Sequence, residues 1–397
     1  FAPDTLRSWN YIGSFVVFKR TLMDKVGEAF REEYDGSQVY DLILRLTEQA
    51  GKIVHIAKIL YFVRAHATSG PADLRMTRSA QKAIASHLER LGIPGKVEAA
   101  PAVDNVYRIH YAIKGTPLVY IIIPNKDQVE TLAICIDSIL KKTTWANYEI
   151  ILCENNSTEP ETFKYHEELV KNPKIRMITW EKAFNYSSIN NFAAEHAQGD
   201  YLILLNNDTE IISASWIEEM LMFCQRPEVG AVGGKLYYTD DTLQHGGIVI
   251  GIMGIASHTQ VHYPRDNQGY MYNLTYARNV SCVPAACMMI RKEVFFELGG
   301  LNPKFEVTFN DLDLCMRMRA AGYLIVFTPF AELYHDESKS RGSDYAPQNH
   351  RRFAGEVHRF QCLWSKEIAK GDPYHNPNLR RDTTEYVVDF AKLKAPQ

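Results

Sequence analysis

The 397-residue sequence has no apolar run of the roughly 18 residues that a membrane-spanning helix needs, and no signal-peptide pattern is visible. It lacks a charge excess as well: 44 Lys and Arg stand against 47 Asp and Glu, a net charge of -3, and the basic residues form no long runs. An electrostatic footprint for a polyanion is therefore missing, and nucleic acid is not expected as a partner. The seven cysteines are odd in number, sit mostly inside apolar stretches and show no C-x-x-C spacing. That argues against a disulfide framework or a structural zinc and for buried thiols in a reducing compartment. Glycine-rich phosphate loops are absent too, since neither G-x-G-x-x-G nor a Walker A segment follows a strand; "VGAVGGK" (229–235) is a loose cluster expected to be strand and turn. The chain begins at Phe1 without a methionine and reads as a piece of something longer.

What is present is an ordinary globular composition, 46% hydrophobic and 23% charged, in a chain long enough for more than one folding unit. From Pro117 onward, β-rich runs at 118–124, 149–155, 175–180 and 200–208 alternate with helical patterns at 129–142, 160–171 and 187–197. Near-continuous apolar strands separated by helices predict an α/β fold, with a mostly parallel central sheet covered by helices on both faces. Ligands then belong at the carboxyl ends of the strands. Polar residues collect there: Pro124-Asn125, Glu154-Asn155-Asn156-Ser157 and Asn206-Asn207-Asp208. The expected division is 1–64, a smaller α/β segment; 65–116, a helical linker region; 117–345, the main domain; and 346–397, a helical and extended tail packing on it.

A repeat links the two ends of the chain. At a shift of 272 residues, Lys19 falls on Arg291, Gly27 on Gly299, Asp41 on Asp313, Leu42 on Leu314 and Arg45 on Arg317; after a one-residue adjustment "ILYF" (59–62) falls on "ELYH" (332–335). Self-similarity of this kind marks a duplicated supersecondary unit. The N-terminal copy also serves as an internal control. Asp313 and Arg317, four apart on one helix face, survive as Asp41 and Arg45, as a structural ion pair would. Asp311 becomes Val39 and His335 becomes Phe62, so the two residues suited to chemistry are lost together.

An acid at a sheet edge (Asp208), a distant histidine (His335) and another carboxylate suit a hard divalent cation, Mn²⁺ or Mg²⁺, with mixed oxygen and nitrogen ligands. Such a cation beside helix N-termini is well placed to hold a diphosphate.

The segments "YIIIPNKDQVETLAICIDSIL", "YEIILCENNST", "FNYSSINNFAAEHAQGDYLILLNNDTEII", "VPAACMMIRKEVFFELGG", "FNDLDLCMRMRAAGY" and "ELYHDESKSRG" together resemble the inverting GT-A glycosyltransferases of family two. The nearest likeness is to bacterial rhamnosyl- and galactosyltransferases that build surface polysaccharides, and it runs continuously over 117–345. Residues 1–64 resemble the acceptor half of the same fold in degenerate form. The resemblance implies a GT-A, Rossmann-like fold and transfer of a sugar from a UDP- or dTDP-sugar to a glycan or lipid-linked glycan. It places the work in the cytoplasm or at the inner face of the cell membrane.

Position by position, it assigns Pro124, Asn125, Glu154 and Asn156 to the nucleotide pocket and Asn185 and Asn191 to a polar helix start that helps hold the nucleotide. Asn207 joins the donor site, and Ala285 and Ala286 the cradle of the donor sugar. "NND" stands in place of D-x-D, so Asp208 is the main metal ligand and Asn206 a weaker or indirect one. His335 matches the late metal-binding histidine and Asp311 the catalytic base.

Two rivals remain. A sugar nucleotidyltransferase needs a basic, glycine-rich loop after the first strand, which "IPNKDQVE" does not supply. A non-catalytic carbohydrate-binding or scaffold module is favoured only by the missing first carboxylate of "NND". His245 and His258 are open between an acceptor-site role and a structural one, and the tyrosines of 236–280 between sugar stacking and ordinary packing.

Overall fold

The computed structural model describes residues 1–60, 74–100, 103–337 and 347–392. Its centre is a ten-stranded sheet. In chain order the strands are β1 (Val119–Asn125), β2 (Tyr148–Glu154), β3 (Ile175–Thr179), β4 (Tyr201–Leu205), β5 (Thr209–Ile211), β6 (Val229–Tyr237), β7 (Leu243–His245), β8 (Arg278–Val280), β9 (Cys287–Arg291) and β10 (Leu324–His335). Across the sheet they run β8-β10-β6-β9-β4-β1-β2-β3, with β5 added to β10 and β7 to β6. The β4-β1-β2-β3 half is parallel throughout. The other half is mixed, because β9 enters antiparallel between β4 and β6. The expected parallel character therefore holds across β4-β1-β2-β3 and is interrupted where β9 inserts, although β6 and β10 again pair in parallel.

Strand periodicity explains why this half is covered on both faces. Successive side chains point to opposite sides, so Ile121 and Ile123 join the core under helix Val129–Lys142, with Leu132 and Ile136. Tyr120 and Ile122 join the opposite core under helix Tyr186–Glu195, with Ile189 and Ala193. Both sets are buried. The glycine cluster lies in β6, as expected of strand: a Cβ at Gly233 would stand 2.5 Å from Val283 Cβ, so only glycine admits that close approach.

The N-terminal region is tied to this sheet by a buried charge pair. Helix Pro3–Ser8 brings Asp4 against Arg226, whose guanidinium donates to both carboxylate oxygens at 2.6 and 2.9 Å. Asn279 Nδ2 donates to Asp4 Oδ2 at 2.8 Å, and the Asp4 N–H donates to Asn279 Oδ1 at 2.9 Å. Burial alone would raise the Asp4 pKa; Arg226 and the hydrogen bonds outweigh it and hold it at about 2, against an ordinary 3.8. Because the folded-state pKa is depressed, this contribution is complete above pH 3.8 and lost as pH falls through about 2. Asp4→Asn leaves Arg226 buried without its counter-charge and is expected to cost about 3–5 kcal/mol at neutral pH. Denaturant unfolding checks this: an acid-dependent loss near pH 3 that is the same in variant and wild type would refute the assignment.

Helix Leu74–Arg90 and the antiparallel ribbon Gly95–Ala99 with Tyr107–Tyr111 pack into the same core as β1 through Ala83, Ile84, Tyr107 and Tyr111. The strand-like pattern of "YIGSFVVFKR" (11–20) forms no ladder among the described residues, and neither does 52–60; Phe62 lies outside the described residues. Helix Gln38–Gln49 forms as expected. The tail contributes helix His350–Leu363, which packs Phe360 into the main-domain core.

Candidate active site

The carboxyl end of β4 delivers Asn206-Asn207-Asp208, and the chain then turns into β5. Because β5 pairs antiparallel with the end of β10, in a register that sets His335 opposite Thr209, the ring arrives beside Asp208. The Asp336 N–H extends the contact by donating to Asp208 O at 2.9 Å. Two residues distant in sequence thus meet at one sheet edge, both buried.

Their electrostatics are unusual. His335 Nε2 lies 3.2 Å from Asp208 Oδ1, a distance that would make an ion pair only with a protonated ring. The other contacts argue against a hydrogen there: the Asn206 amide nitrogen faces the same Nε2 at 3.1 Å, and Asp208 Oδ1 has no hydrogen-bond donor although it is buried. A carboxylate oxygen and a ring nitrogen, both electron-rich, face each other with nothing between them. A buried acceptor in that state is costly, and a divalent cation held by carboxylate oxygen and imidazole nitrogen satisfies both. Asn206 turns its nitrogen to the histidine while its oxygen accepts from Tyr186 OH at 3.1 Å. This matches an indirect role for Asn206 better than direct ligation.

Asp311 is linked to this corner from a different element, through a chain of hydrogen bonds. It sits in the first turn of helix Asn310–Ala320, where the helix dipole favours a carboxylate. Its Oδ2 accepts from the Ala285 N–H at 3.0 Å and its Oδ1 from the Leu312 N–H at 2.8 Å. Ala285 O in turn accepts from Tyr186 OH at 3.2 Å, and Ala286 O accepts from the Asn206 N–H at 3.2 Å. The 285–286 backbone and Tyr186 therefore bridge Asp311 to the Asn206–His335 corner.

The helix entry is strained: Phe309 takes a left-handed φ of 66°. Two devices hold it. Phe309 stacks on Phe353 and Phe360, and buried Glu356 accepts from the backbone N–H groups of Val307 and Thr308 at 2.9 and 3.2 Å. Asp313, the second acid of that turn, pairs with Arg317 at 2.8 Å and accepts from Trp364 Nε1 at 3.1 Å, the structural role expected from the repeat.

The residues assigned to the nucleotide divide into two groups. Asn125 and Asn207 are joined across β1 and β4, with Asn207 Nδ2 donating to Asn125 Oδ1 at 2.7 Å, and Pro124 lies beside them at the end of β1. Glu154 turns both oxygens onto Ser157, accepting from its N–H at 2.6 Å and its hydroxyl at 2.7 Å, which closes the turn after β2. Asn156, at φ 54°, donates to Lys182 O at 2.9 Å. Asn185 and Asn191 hydrogen-bond to backbone groups of the chain itself. Asn185 caps its helix by accepting from the Ser188 N–H and donates to Pro303 O, both at 2.9 Å. Asn191 accepts from the Leu301 N–H and donates to Leu301 O, both at 2.8 Å.

Four residues went unnoticed in the sequence: Tyr186, Gln244, Glu356 and Asp127, which caps helix Pro160–Leu169 by accepting from the Thr158 and Glu159 N–H groups at 2.8 and 3.0 Å. Tyr186 lies within the quoted "FNYSSINNFAAEHAQGDYLILLNNDTEII" and Asp127 within "YIIIPNKDQVETLAICIDSIL"; Gln244 and Glu356 carry no local signal. His245 and His258 form a pair with Nδ1 atoms 2.9 Å apart. Burial pushes both rings' pKa values down, that of His258 to about 4, so they are neutral at neutral pH.

Residues 120–299 match the family described as Glycosyl transferase family 2. Over 97% of its length the chain is 39% identical to the O-antigen biosynthesis protein RfbC of Myxococcus xanthus, covering 30% of that protein. Over 39% of its length it is 27% identical to the N-acetylglucosaminyl-diphospho-decaprenol L-rhamnosyltransferase of Mycobacterium tuberculosis, covering 52% of that protein. The chain spans less than half the length of the relatives that it matches along nearly its whole extent. Among solved structures, GalNAc-T7 with UDP, GalNAc and Mn²⁺ aligns with a TM-score of 0.53 at 16% identity, over 67% of this chain and 51% of that one. That likeness confirms the α/β fold as of the GT-A type.

Proposed function

We propose that residues 117–345 act as an inverting, divalent-cation-dependent glycosyltransferase, moving a sugar from a UDP- or dTDP-sugar to a glycan or lipid-linked glycan in bacterial surface-polysaccharide synthesis. The observation that carries this reading is the facing pair of Asp208 Oδ1 and His335 Nε2, 3.2 Å apart, at the corner that Tyr186 and the 285–286 backbone connect to Asp311. Asp208 and His335 would hold Mn²⁺ or Mg²⁺. The cation's chemistry there is charge neutralisation of a departing diphosphate.

The chain's own groups do the rest. Asp311, whose oxygens accept from the Ala285 and Leu312 N–H groups, removes the proton from an acceptor hydroxyl as it attacks the anomeric carbon. One displacement, with no second carboxylate as nucleophile, inverts the configuration. The Ala285 and Ala286 backbone lines the donor sugar's side of the pocket, and the Asn125–Asn207 pair the nucleotide's side. The relatives in O-antigen and decaprenol-linked synthesis favour a polyprenyl-linked acceptor at the cytoplasmic membrane face. No helix among the described residues is long and apolar enough to cross a membrane.

A thermal-shift panel of nucleotide sugars with and without Mn²⁺ tests this. A selective, cation-dependent shift followed by transfer or donor hydrolysis supports it. Sugar binding with no turnover under any cation would favour the scaffold reading instead.

The same proposal takes residues 1–64 as a degenerate acceptor half of a second GT-A unit, and matched geometry supports it. Arg317 pairs with Asp313 and donates to Leu298 O at 2.6 Å and Gly300 O at 2.8 Å. Arg45 pairs with Asp41 and donates to the corresponding carbonyls, Val26 O at 3.4 Å and Glu28 O at 2.7 Å. A left-handed glycine follows each preceding helix, Gly27 with φ 83° as its C-cap and Gly299 with φ 77° one residue beyond the C-cap Leu298. The segments that correspond to β9 and β10 expose Phe15, Val17, Val54 and Ile56, whereas β9 is fully buried.

A further inference from the structure

We propose that Gln244 is a positioning residue that sets the ring tautomer and orientation of His335; the proposal rests on the reading of His335 as a cation ligand. Gln244 is buried in the middle of the three-residue strand β7, where the pairing with β6 slips register between Leu236 and Tyr237. Its side chain reaches the end of β10 and grips one residue twice. Gln244 Nε2 donates to His335 O at 3.1 Å, and Gln244 Oε1 lies 2.6 Å from His335 Nδ1.

The two contacts together leave one assignment. A backbone carbonyl only accepts, so the amide must present its nitrogen to His335 O, which turns its oxygen to the ring. An amide oxygen also only accepts, so the hydrogen of the imidazole resides on Nδ1. Nε2 is left with its lone pair, aimed at Asp208 Oδ1 and Asn206. The backbone carbonyl of the histidine thus decides, through one glutamine, which of its own ring nitrogens is available for a cation. Without Gln244 the ring can flip or carry its hydrogen on Nε2, where a hydrogen bond to Asp208 would close the corner. Partners of this kind, one contact behind a metal-binding histidine, typically change metal affinity about 10–100-fold when removed.

The test compares wild type, Gln244→Met and Gln244→Glu in the full chain with ¹⁵N-labelled histidine. Methionine keeps the volume and removes the acceptor; glutamate keeps an acceptor for Nδ1. Long-range ¹H–¹⁵N spectra, recorded without metal above the ordinary imidazole range at about pH 8, read the tautomer of His335. Titration with Mn²⁺ alone, followed by its electron paramagnetic resonance signal, reads the affinity. The expected result is Nδ1–H in wild type and Q244E, a shift toward Nε2–H in Q244M, and a Mn²⁺ affinity about 10–100-fold weaker in Q244M but restored within a few-fold in Q244E. An Nε2–H tautomer in wild type, or unchanged tautomer and affinity in Q244M, overturns the proposal. If wild type shows Nδ1–H and Q244M loses it while none of the three binds Mn²⁺, the tautomer assignment stands and the metal reading of the site fails.

Discussion

Asp311→Asn is expected to lower turnover about 10²–10⁴-fold, the range for losing a general base, while leaving donor binding close to wild type and lowering stability slightly, because the amide nitrogen replaces the oxygen that accepts from the Leu312 N–H. Asparagine has the shape of aspartate, and its amide oxygen can still accept from the Ala285 N–H, the contact that joins the helix start to the 285–286 backbone. What it lacks is a basic lone pair for the acceptor's proton. Single-turnover transfer with a saturating donor isolates the chemical step from binding. Equal loss in kcat and kcat/KM is the signature of an interaction made only in the transition state. An Asp311→Asn variant with wild-type turnover would remove the base from this position. Asp313→Asn should behave in the opposite way, losing stability through the Arg317 and Trp364 contacts before it loses chemistry.

The second large effect is expected at the facing pair. Asp208→Asn and His335→Phe should each reduce transfer about 10²–10³-fold, a typical loss when an electrostatic stabiliser of the leaving group is removed. His335→Phe is informative because phenylalanine is the residue that the N-terminal copy carries at that place. Chelation of wild type should give the same loss, reversed by adding back Mn²⁺ or Mg²⁺, whereas the variants should respond weakly to either treatment. Wild-type activity that persists under exhaustive chelation would overturn the cation-dependent reading. Asp208→Asn has a further consequence in the fold itself, since it replaces a buried acceptor lacking a donor with a neutral group. The variant without metal should therefore be at least as stable as metal-free wild type, by thermal melting.

Much of this architecture was legible in the sequence because its signals are local. Apolar runs of strand length placed β1 to β3 within a residue of where they lie and the start of β4 likewise, while β4 ends three residues before the expected 208; the repeat separated the Asp313–Arg317 pair from Asp311 and His335. Long-range pairing was not legible. The antiparallel entry of β9 and the β5–β10 register come from contacts between segments far apart in sequence, and no periodicity encodes them. The asparagines are instructive for the same reason. Asn185 and Asn191 have the polarity of ligand-binding residues, yet both hold the backbone of the 301–303 loop. An amide side chain looks the same in sequence whether it faces a nucleotide or a carbonyl of its own chain. Gln244 and Glu356 were missed because they act one contact away from the chemistry, through partners that only the folded chain supplies.

The bidentate seat of Arg226 on Asp4 has a mechanical meaning. Swinging the amino-terminal helix away would break both of these contacts and leave the guanidinium only the half-exposed carboxylate of Glu228, 3.4 Å from its Nε, so the joint resists acting as a pivot. The leading helix is thereby clamped to the main sheet in the manner of a jig and not a tether.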